Sequence, residues 1–216
     1  MKTVPDYPPP DWRTAETDSA LCDLDIASLI PEAQKPIPYY VANLAAPEHL
    51  TLIVGESGLG KSFLSLALAN AVATETPISG LATRPARPLI LDAENSPILI
   101  ARRFVALGIE PSAVPVVSVG AGFDLSREAD RLALRRKVTD TGAEFIVLDS
   151  LKSLSMATDE NSNDAVATLL KPLQQIAWDL GVAIVILHHR SSKPNSPTWR
   201  GADQLKASSD ILVTLQ

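Results

Sequence analysis

The sequence predicts an α/β domain with a doubly wound, mostly parallel sheet flanked by helices. From Pro36 onward, short apolar runs rich in Val and Ile alternate with longer helical patterns. The runs are apolar on both faces, which is typical of parallel strands covered by helices on either side. Repeated strand–helix alternation with right-handed crossovers favours the doubly wound arrangement. The predicted strands are 50–54, 89–91, 114–119, 145–148, 182–187 and 211–215.

Cap signals bound the helices between these strands. Ser96 and Pro97 are a typical N-cap and first-turn pair, and Gly108 and Gly142 each follow the end of a helical pattern. Pro172 lies inside the last pattern, where we expect it to kink or split the helix. The predicted helices are 61–74, 98–107, 126–140 and 164–180.

Residues 1–35 differ from the domain predicted over 36–216. They are rich in proline and hold seven acidic against three basic residues, so −4 of the chain's formal charge of −6 lies there. Proline-rich acidic sequence without periodicity is typical of a flexible arm. One short helix is predicted within 21–30. The alternatives are a flexible tail and an arm that docks a protein partner.

Composition excludes several classes of protein. A net charge of −6 over 216 residues argues against a small basic module that binds nucleic acid through bulk charge, although it leaves room for a local basic groove. A single cysteine, Cys22, excludes an internal disulfide framework and indicates a reducing, cytoplasmic location. No run approaches 18 apolar residues and no signal-peptide pattern begins the sequence, so we expect no membrane partner.

A glycine-rich stretch is the strongest motif. Residues 55–62 fit G-x-x-x-x-G-K-[ST], with an apolar strand before them and an apolar helix after. Glycines let backbone amides turn toward a phosphate chain, and the helix N-terminus adds a positive end. Lys61 can reach the β- and γ-phosphates, and Ser62 can bind Mg²⁺. We therefore expect ATP and Mg²⁺ as ligands. The predicted nucleotide-binding residues are Gly55, Glu56, Ser57, Gly58, Leu59, Gly60, Lys61, Ser62 and Phe63.

Acidic side chains follow two of the predicted strands. In open α/β sheets the ligand lies beyond the carboxyl ends of the strands. Asp149 follows the 145–148 strand and is predicted to hold magnesium, through water, with Ser62. Hydrolysis also needs a carboxylate that orients and deprotonates the attacking water. Glu94, two residues past the 89–91 strand, is the predicted base, and Asp92 is the alternative.

A pair of histidines, His188 and His189, follows the 182–187 strand and accounts for two of the chain's three histidines. A polar side chain there lies near the γ-phosphate and can sense it. His188 is the predicted sensor and, with Lys61 and Glu94, completes the predicted catalytic set. A zinc site is the weaker alternative, because no cysteine or further histidine supports it.

Together these segments resemble the RecA-type ATPase core, most closely the RepA-type hexameric helicase and ATPase family, the AAA domain of the RecA/DnaB-like group. The resemblance spans about 37–216. It implies that the 182–187 strand lies between the phosphate-loop strand and the 145–148 strand, and that Glu94, Asp149 and His188 meet over the phosphates. The segments that carry it are 55–62, 91–96, 102–103, 106–108, 147–150, 186–189 and 200–202.

The resemblance also implies partners. Family members form rings with ATP between subunits, so we expect a homo-oligomer such as a hexamer, and they act on single-stranded DNA as helicases or translocases in replication or recombination. Segment 190–206 has a local charge of +3 and fits a channel loop, with Trp199 able to stack on a base. A solvated surface loop is an equal alternative. The candidates for DNA contact or action on a neighbour are Arg190, Lys193, Arg200 and Lys206.

One departure from the family pattern suggests a second function. The family usually carries an arginine on the strand near 210–216 that reaches the neighbouring ATP site, and this segment has no Arg or Lys. Either Arg190, Arg200 or Lys206 takes that role, or activation by a neighbour is weak. The alternative is an ATP-dependent assembly or switch module that recruits a partner. A small-molecule kinase is a third, weaker reading, which Glu94 disfavours because such kinases need no water-activating acid.

Overall fold

The computed structural model describes residues 24–120, 122–155, 163–189 and 208–216, with the backbone alone over 163–168. The chain divides into two units, Met1–Pro38 and Tyr39–Gln216. The elements in chain order are α1 (Ile26–Ala33), β1 (Leu50–Gly55), α2 (Lys61–Thr74), β2 (Pro88–Asp92), α3 (Pro97–Leu107), β3 (Val116–Ser118), α4 (Glu128–Thr141), β4 (Phe145–Asp149), α5 (Asn163–Leu180), β5 (Ala183–His189) and β6 (Ile211–Thr214).

The six strands form one sheet in the order β3-β2-β4-β5-β1-β6, and every pairing is parallel. The predicted fold class is confirmed, and β5 lies between β1 and β4 as expected. The register aligns the carboxyl ends of the central strands, since Asp92 pairs with Asp149 and Gly55 pairs with His189. The polar residues that follow these strands therefore share one edge of the sheet.

Both faces of the sheet are buried. Side chains alternate along each strand, so Leu148 and Ile186 pack in one apolar layer with residues of α4 and α5. Val147 and Leu187 pack in the opposite layer with residues of α2 and α3. This alternation places the side chains of Asp92, Asp149 and His189 toward the α2 and α3 side.

The predicted caps of α3 are confirmed. The Ser96 side chain accepts a hydrogen bond from the backbone N–H of Leu99, and Pro97 is the first helical residue. Gly108 ends the helix with a φ of 63° and Gly142 ends α4 with a φ of 61°, a left-handed conformation that glycine adopts without strain. The start of α4 was predicted two residues too early, since its first residue is Glu128.

Helix α5 contains a proline in its interior. Pro172, which was predicted to kink or split the helix, lies within the single helix α5, so it does not split it. A proline inside a helix removes one backbone hydrogen bond and its ring crowds the carbonyl four residues earlier, which together cost roughly 3 kcal/mol. Burial of Leu170, Leu173 and Ile176 against the sheet offsets this loss, at roughly 1.5–3 kcal/mol for each side chain.

The first unit is described from residue 24. Helix α1 lies nearer the C-terminus than the helix predicted within 21–30, and it begins after Asp25, whose side chain accepts from the N–H of Ser28. Its apolar side chains Ile26 and Ile30 are exposed. The prediction of a flexible arm over 1–35 falls largely outside the described residues and stays a prediction. Within the described part of the chain, no helix is long and apolar enough to cross a membrane.

Candidate nucleotide-binding site

The loop between β1 and α2 has a backbone that only glycine adopts easily. Gly58 has a φ of 86° and Gly60 a φ of 78°, both in the left-handed region. A Cβ atom at either residue would meet nothing within 4 Å, so strain in the backbone rather than lack of space excludes other residues. These conformations turn the chain tightly into the first turn of α2, and the sequence motif predicted this turn.

Lys61 is held inside the loop. Its side chain is 5% exposed, and Nζ donates hydrogen bonds to the carbonyl oxygens of Gly55 at 2.8 Å and Glu56 at 2.7 Å. Burial lowers the pKa of Lys61, and the nearby carboxylates of Glu94 and Asp149 oppose that change. The ammonium group therefore lies at the centre of the predicted phosphate site, where it can exchange carbonyl partners for phosphate oxygens.

Ser62 and Asp149, the predicted magnesium ligands, lie together. The Ser62 hydroxyl is close enough to the Asp149 carboxylate to lower its pKa, and Asp149 is 2% exposed. Burial is the main cause that raises the pKa of Asp149 to about 6; the charges of Asp92 and Glu94 contribute to the increase, and Ser62 and Arg103 oppose it. Hydroxyl and carboxylate oxygens are ligands that Mg²⁺ prefers. The residues therefore fit a magnesium ion, whose charge would relieve the repulsion among these acids.

Asp92, the alternative base, shapes the loop after β2. Its Oδ1 accepts from the backbone N–H groups of Glu94 at 2.9 Å and Asn95 at 2.8 Å, and its Oδ2 accepts from Asn95 Nδ2 at 2.9 Å. The N–H of Ala93 also donates to the Asp149 carbonyl at 2.9 Å. Because both carboxylate oxygens of Asp92 bind the turn, Asp92 fixes the backbone at Glu94 and is poorly placed to be the base.

Glu94 extends from this turn into a group of hydrogen-bond donors. Its Oε1 accepts from the hydroxyls of Ser150 and Ser153, the latter at 2.8 Å, and lies 3.3 Å from His189 Nε2. Burial alone would raise the pKa of Glu94, but the two hydroxyls and His189 outweigh it and lower the pKa. Glu94 is thus an ionised carboxylate beside the Ser62–Asp149 pair and able to accept a proton.

The structure brings His189, rather than His188, to Glu94. His188 pairs with Val54 and His189 with Gly55, the first residue of the loop. Since side chains alternate along β5, only one of the two neighbours projects toward the α2 side. The role of His188 as a γ-phosphate sensor stays a prediction, and His189 is the histidine that lies 3.3 Å from Glu94.

Sequence reasoning gave no role in the site to Arg103. Its guanidinium lies 5.4 Å from the centre of the Phe63 ring and acts electrostatically on Asp149. Phe63, predicted to bind nucleotide, is 41% exposed on the first turn of α2. The helical spacing of apolar residues could have predicted this position. Ile100 and Phe104 are buried, so Arg103 lies on the inner side of α3 and Arg102 is exposed.

Other predictions lie outside the described residues, including those for Arg190, Lys193, Trp199, Arg200 and Lys206. Among the residues that are described, no three or more His, Cys, Asp or Glu side chains are grouped to hold a metal ion. The zinc alternative therefore gains no support there. The proposed magnesium site needs only Ser62 and Asp149 from the protein, with phosphate and water as further ligands.

The fold and the loop define a P-loop ATPase domain of RecA-like architecture. A family model described as an AAA domain matches residues 15–195, and the chain belongs to that family. The match covers the phosphate loop, Glu94, Asp149 and both histidines. Nucleotide binding and ATP hydrolysis are therefore the general activity of this domain.

Proposed function

We propose that this domain is a magnesium-dependent ATP-hydrolysing motor of the RecA/RepA-like type. The proposal rests mainly on one observation: the two acidic residues Asp149 and Glu94 have different partners within one site. Asp149 lies beside Ser62, as a metal-binding acid should, whereas Glu94 is on the loop after β2 and accepts hydrogen bonds from two other hydroxyls. A water-activating carboxylate distinct from the metal ligand is what hydrolysis requires.

Each residue has a specific role in the proposed reaction. Lys61 and the loop amides bind the β- and γ-phosphates, and Ser62 and Asp149 hold Mg²⁺. When bound, the magnesium ion neutralises charge on the phosphate oxygens. Glu94 orients the attacking water and accepts its proton. His189, in contact with Glu94, senses whether the γ-phosphate is present.

We further propose that the motor acts on single-stranded DNA as a helicase or translocase, within a homo-oligomeric ring such as a hexamer. The support is the family resemblance and the local charge of +3 over 190–206. A ring would gather several copies of this segment around one channel. Phosphate contacts through Arg190, Lys193, Arg200 and Lys206 would be electrostatic and would weaken with salt.

The test is the ATPase rate with and without single-stranded DNA at about 50 mM and about 200 mM salt. The motor predicts DNA stimulation that fades at the higher salt. Replacing Lys193 and Lys206 together with alanine should reduce the stimulation and keep the DNA-free rate. A matched control replaces Lys137, an exposed lysine on α4. Rates that do not respond to DNA at either salt would exclude the motor.

An ATP-dependent assembly or switch module is the second candidate. Residues 210–216 provide no Arg or Lys for a neighbouring site, and most of the net charge of −6 lies in 1–35. Such a module would bind ATP, assemble and recruit a partner through the acidic arm. Mass measurement with and without a non-hydrolysable ATP analogue tests assembly. Nucleotide-dependent assembly combined with a DNA-independent rate favours the switch.

A further inference from the structure

We propose that Ser153, acting together with Ser150, is a positioning residue for the carboxylate of Glu94. Their hydroxyls bind one oxygen, Oε1, and leave the other oxygen, Oε2, to face the attacking water. This inference rests on the proposed function, because it assumes that Glu94 is the base. It assigns a purpose to two serines that neither the phosphate-loop motif nor the metal site uses.

The hydrogen bonds on Glu94 converge on a single atom. Oε1 accepts from Ser153 Oγ at 2.8 Å and from the Ser150 hydroxyl, and His189 Nε2 lies 3.3 Å from the same oxygen. Two hydroxyls on the turn after β4 and the His189 ring on β5 together fix both the position and the rotation of the carboxyl group. A base held in one orientation avoids the entropy loss of being ordered during the reaction.

The turn that carries the two serines is itself well anchored. The N–H groups of Ser153 and Leu154 both donate to the Ser150 carbonyl at 3.1 Å. The N–H of Leu151 donates to the Leu187 carbonyl of β5 at 2.9 Å, and the side chains of Leu151 and Leu154 are buried. The hydroxyls therefore project from a rigid turn, as a positioning role demands.

An opposite effect of the same contacts is physically reasonable and has to be distinguished. Hydrogen bonds that stabilise the ionised carboxylate also weaken it as a base. If this weakening dominated, the serines would act as a brake and their removal would accelerate hydrolysis. Positioning predicts the reverse, so the sign of the change in kcat separates the two.

Ser153→Ala is the decisive variant, because Ser153 is exposed and its loss should not disturb folding. We expect kcat to fall about tenfold, the equivalent of losing one hydrogen bond to a charged group, with nucleotide affinity unchanged. Ser153→Thr, which keeps the hydroxyl, should restore the rate. Ser126→Ala, at an exposed serine before α4, is the matched control.

An unchanged or higher kcat in Ser153→Ala, or a threonine variant no better than alanine, overturns the proposal. The variant is also made in a Glu94→Gln background, where a residue acting through Glu94 should cause no further loss; a full additional loss there contradicts the proposal. A different result would contradict the proposed function itself: full ATP turnover in the Glu94→Gln variant alone.

Discussion

His189 Nε2 lies 3.3 Å from Glu94 Oε1, and this contact joins β5 to the loop after β2 across the intervening strand β4. The contact passes over the strand that carries Asp149. The base, the metal-binding acid and the end of β5 therefore form one connected unit. A change at the end of β5 would reach Glu94 directly, without movement of the sheet.

This contact predicts that His189 matters more to hydrolysis than His188. His189→Ala should lower kcat by about tenfold or more, because Glu94 loses one of its three partners, with smaller changes in nucleotide affinity. His188→Ala is the matched comparison, one residue away on the opposite face of β5. Steady-state ATPase rates for both variants decide the matter. A larger kcat loss in His188→Ala would instead favour the sequence prediction of His188 as the sensor.

Glu94→Gln should bind ATP and fail to hydrolyse it. The amide is nearly isosteric with the carboxylate but cannot accept the proton of water, so kcat should fall at least about 100-fold. Equilibrium binding of a fluorescent ATP analogue, measured beside the turnover rate, separates the two steps. Glu110→Gln, at an exposed position beyond α3, serves as the control. Normal turnover would remove Glu94 from this role and return attention to Asp92.

Lys61→Ala should abolish turnover and weaken nucleotide binding strongly. The variant removes the ammonium group that lies between the Gly55 and Glu56 carbonyls, and with it the charge that contacts the phosphates. Lys137→Ala on α4 is the control for loss of one positive charge. Isothermal titration with ATP and Mg²⁺ measures the effect. Affinity within twofold of the unaltered protein would contradict the assignment.

Asp149→Asn should stabilise the nucleotide-free protein and remove magnesium-dependent binding. Burial raises the pKa of Asp149 to about 6 from an ordinary value of 3.8, so its charge is unfavourable in the folded state at neutral pH. The shift corresponds to about 3 kcal/mol at most. Thermal unfolding without nucleotide should show a higher Tm than the unaltered protein. Asp140→Asn, exposed on α4, should leave Tm nearly unchanged.

The raised pKa of Asp149 also predicts how the stability of the folded protein depends on pH. The folded state binds the Asp149 proton more tightly than the unfolded state, so the stability that this group contributes is complete below about pH 4 and is lost as pH rises through about 6. The advantage of Asp149→Asn over the unaltered protein should therefore grow between about pH 4 and about pH 7. Denaturant unfolding at several pH values measures it. A difference that shrinks with rising pH would contradict the assigned shift.

The sequence was sufficient for features that local patterns specify. The apolar runs predicted the six strands found in the described part of the chain, and the glycine spacing predicted the loop around Lys61. Contacts that depend on the pairing between strands could not be predicted from the sequence. Which of His188 and His189 faces Glu94 depends on the register of β5 against β1, and no local pattern contains that register. Ser153 was likewise missed, since its partner lies 59 residues away along the chain.

The strand order also determines when the site can form during synthesis. β1 carries the phosphate loop and is the first strand made, yet its two neighbours in the sheet, β5 and β6, are the last. The Gly55–His189 pairing therefore closes only after nearly the whole domain has emerged. Until then β1, whose residues are all buried in the folded domain, lacks both neighbouring strands and is open to misassociation. Nucleotide binding becomes a late event in folding, and ATP would stabilise only chains that have completed their sheet.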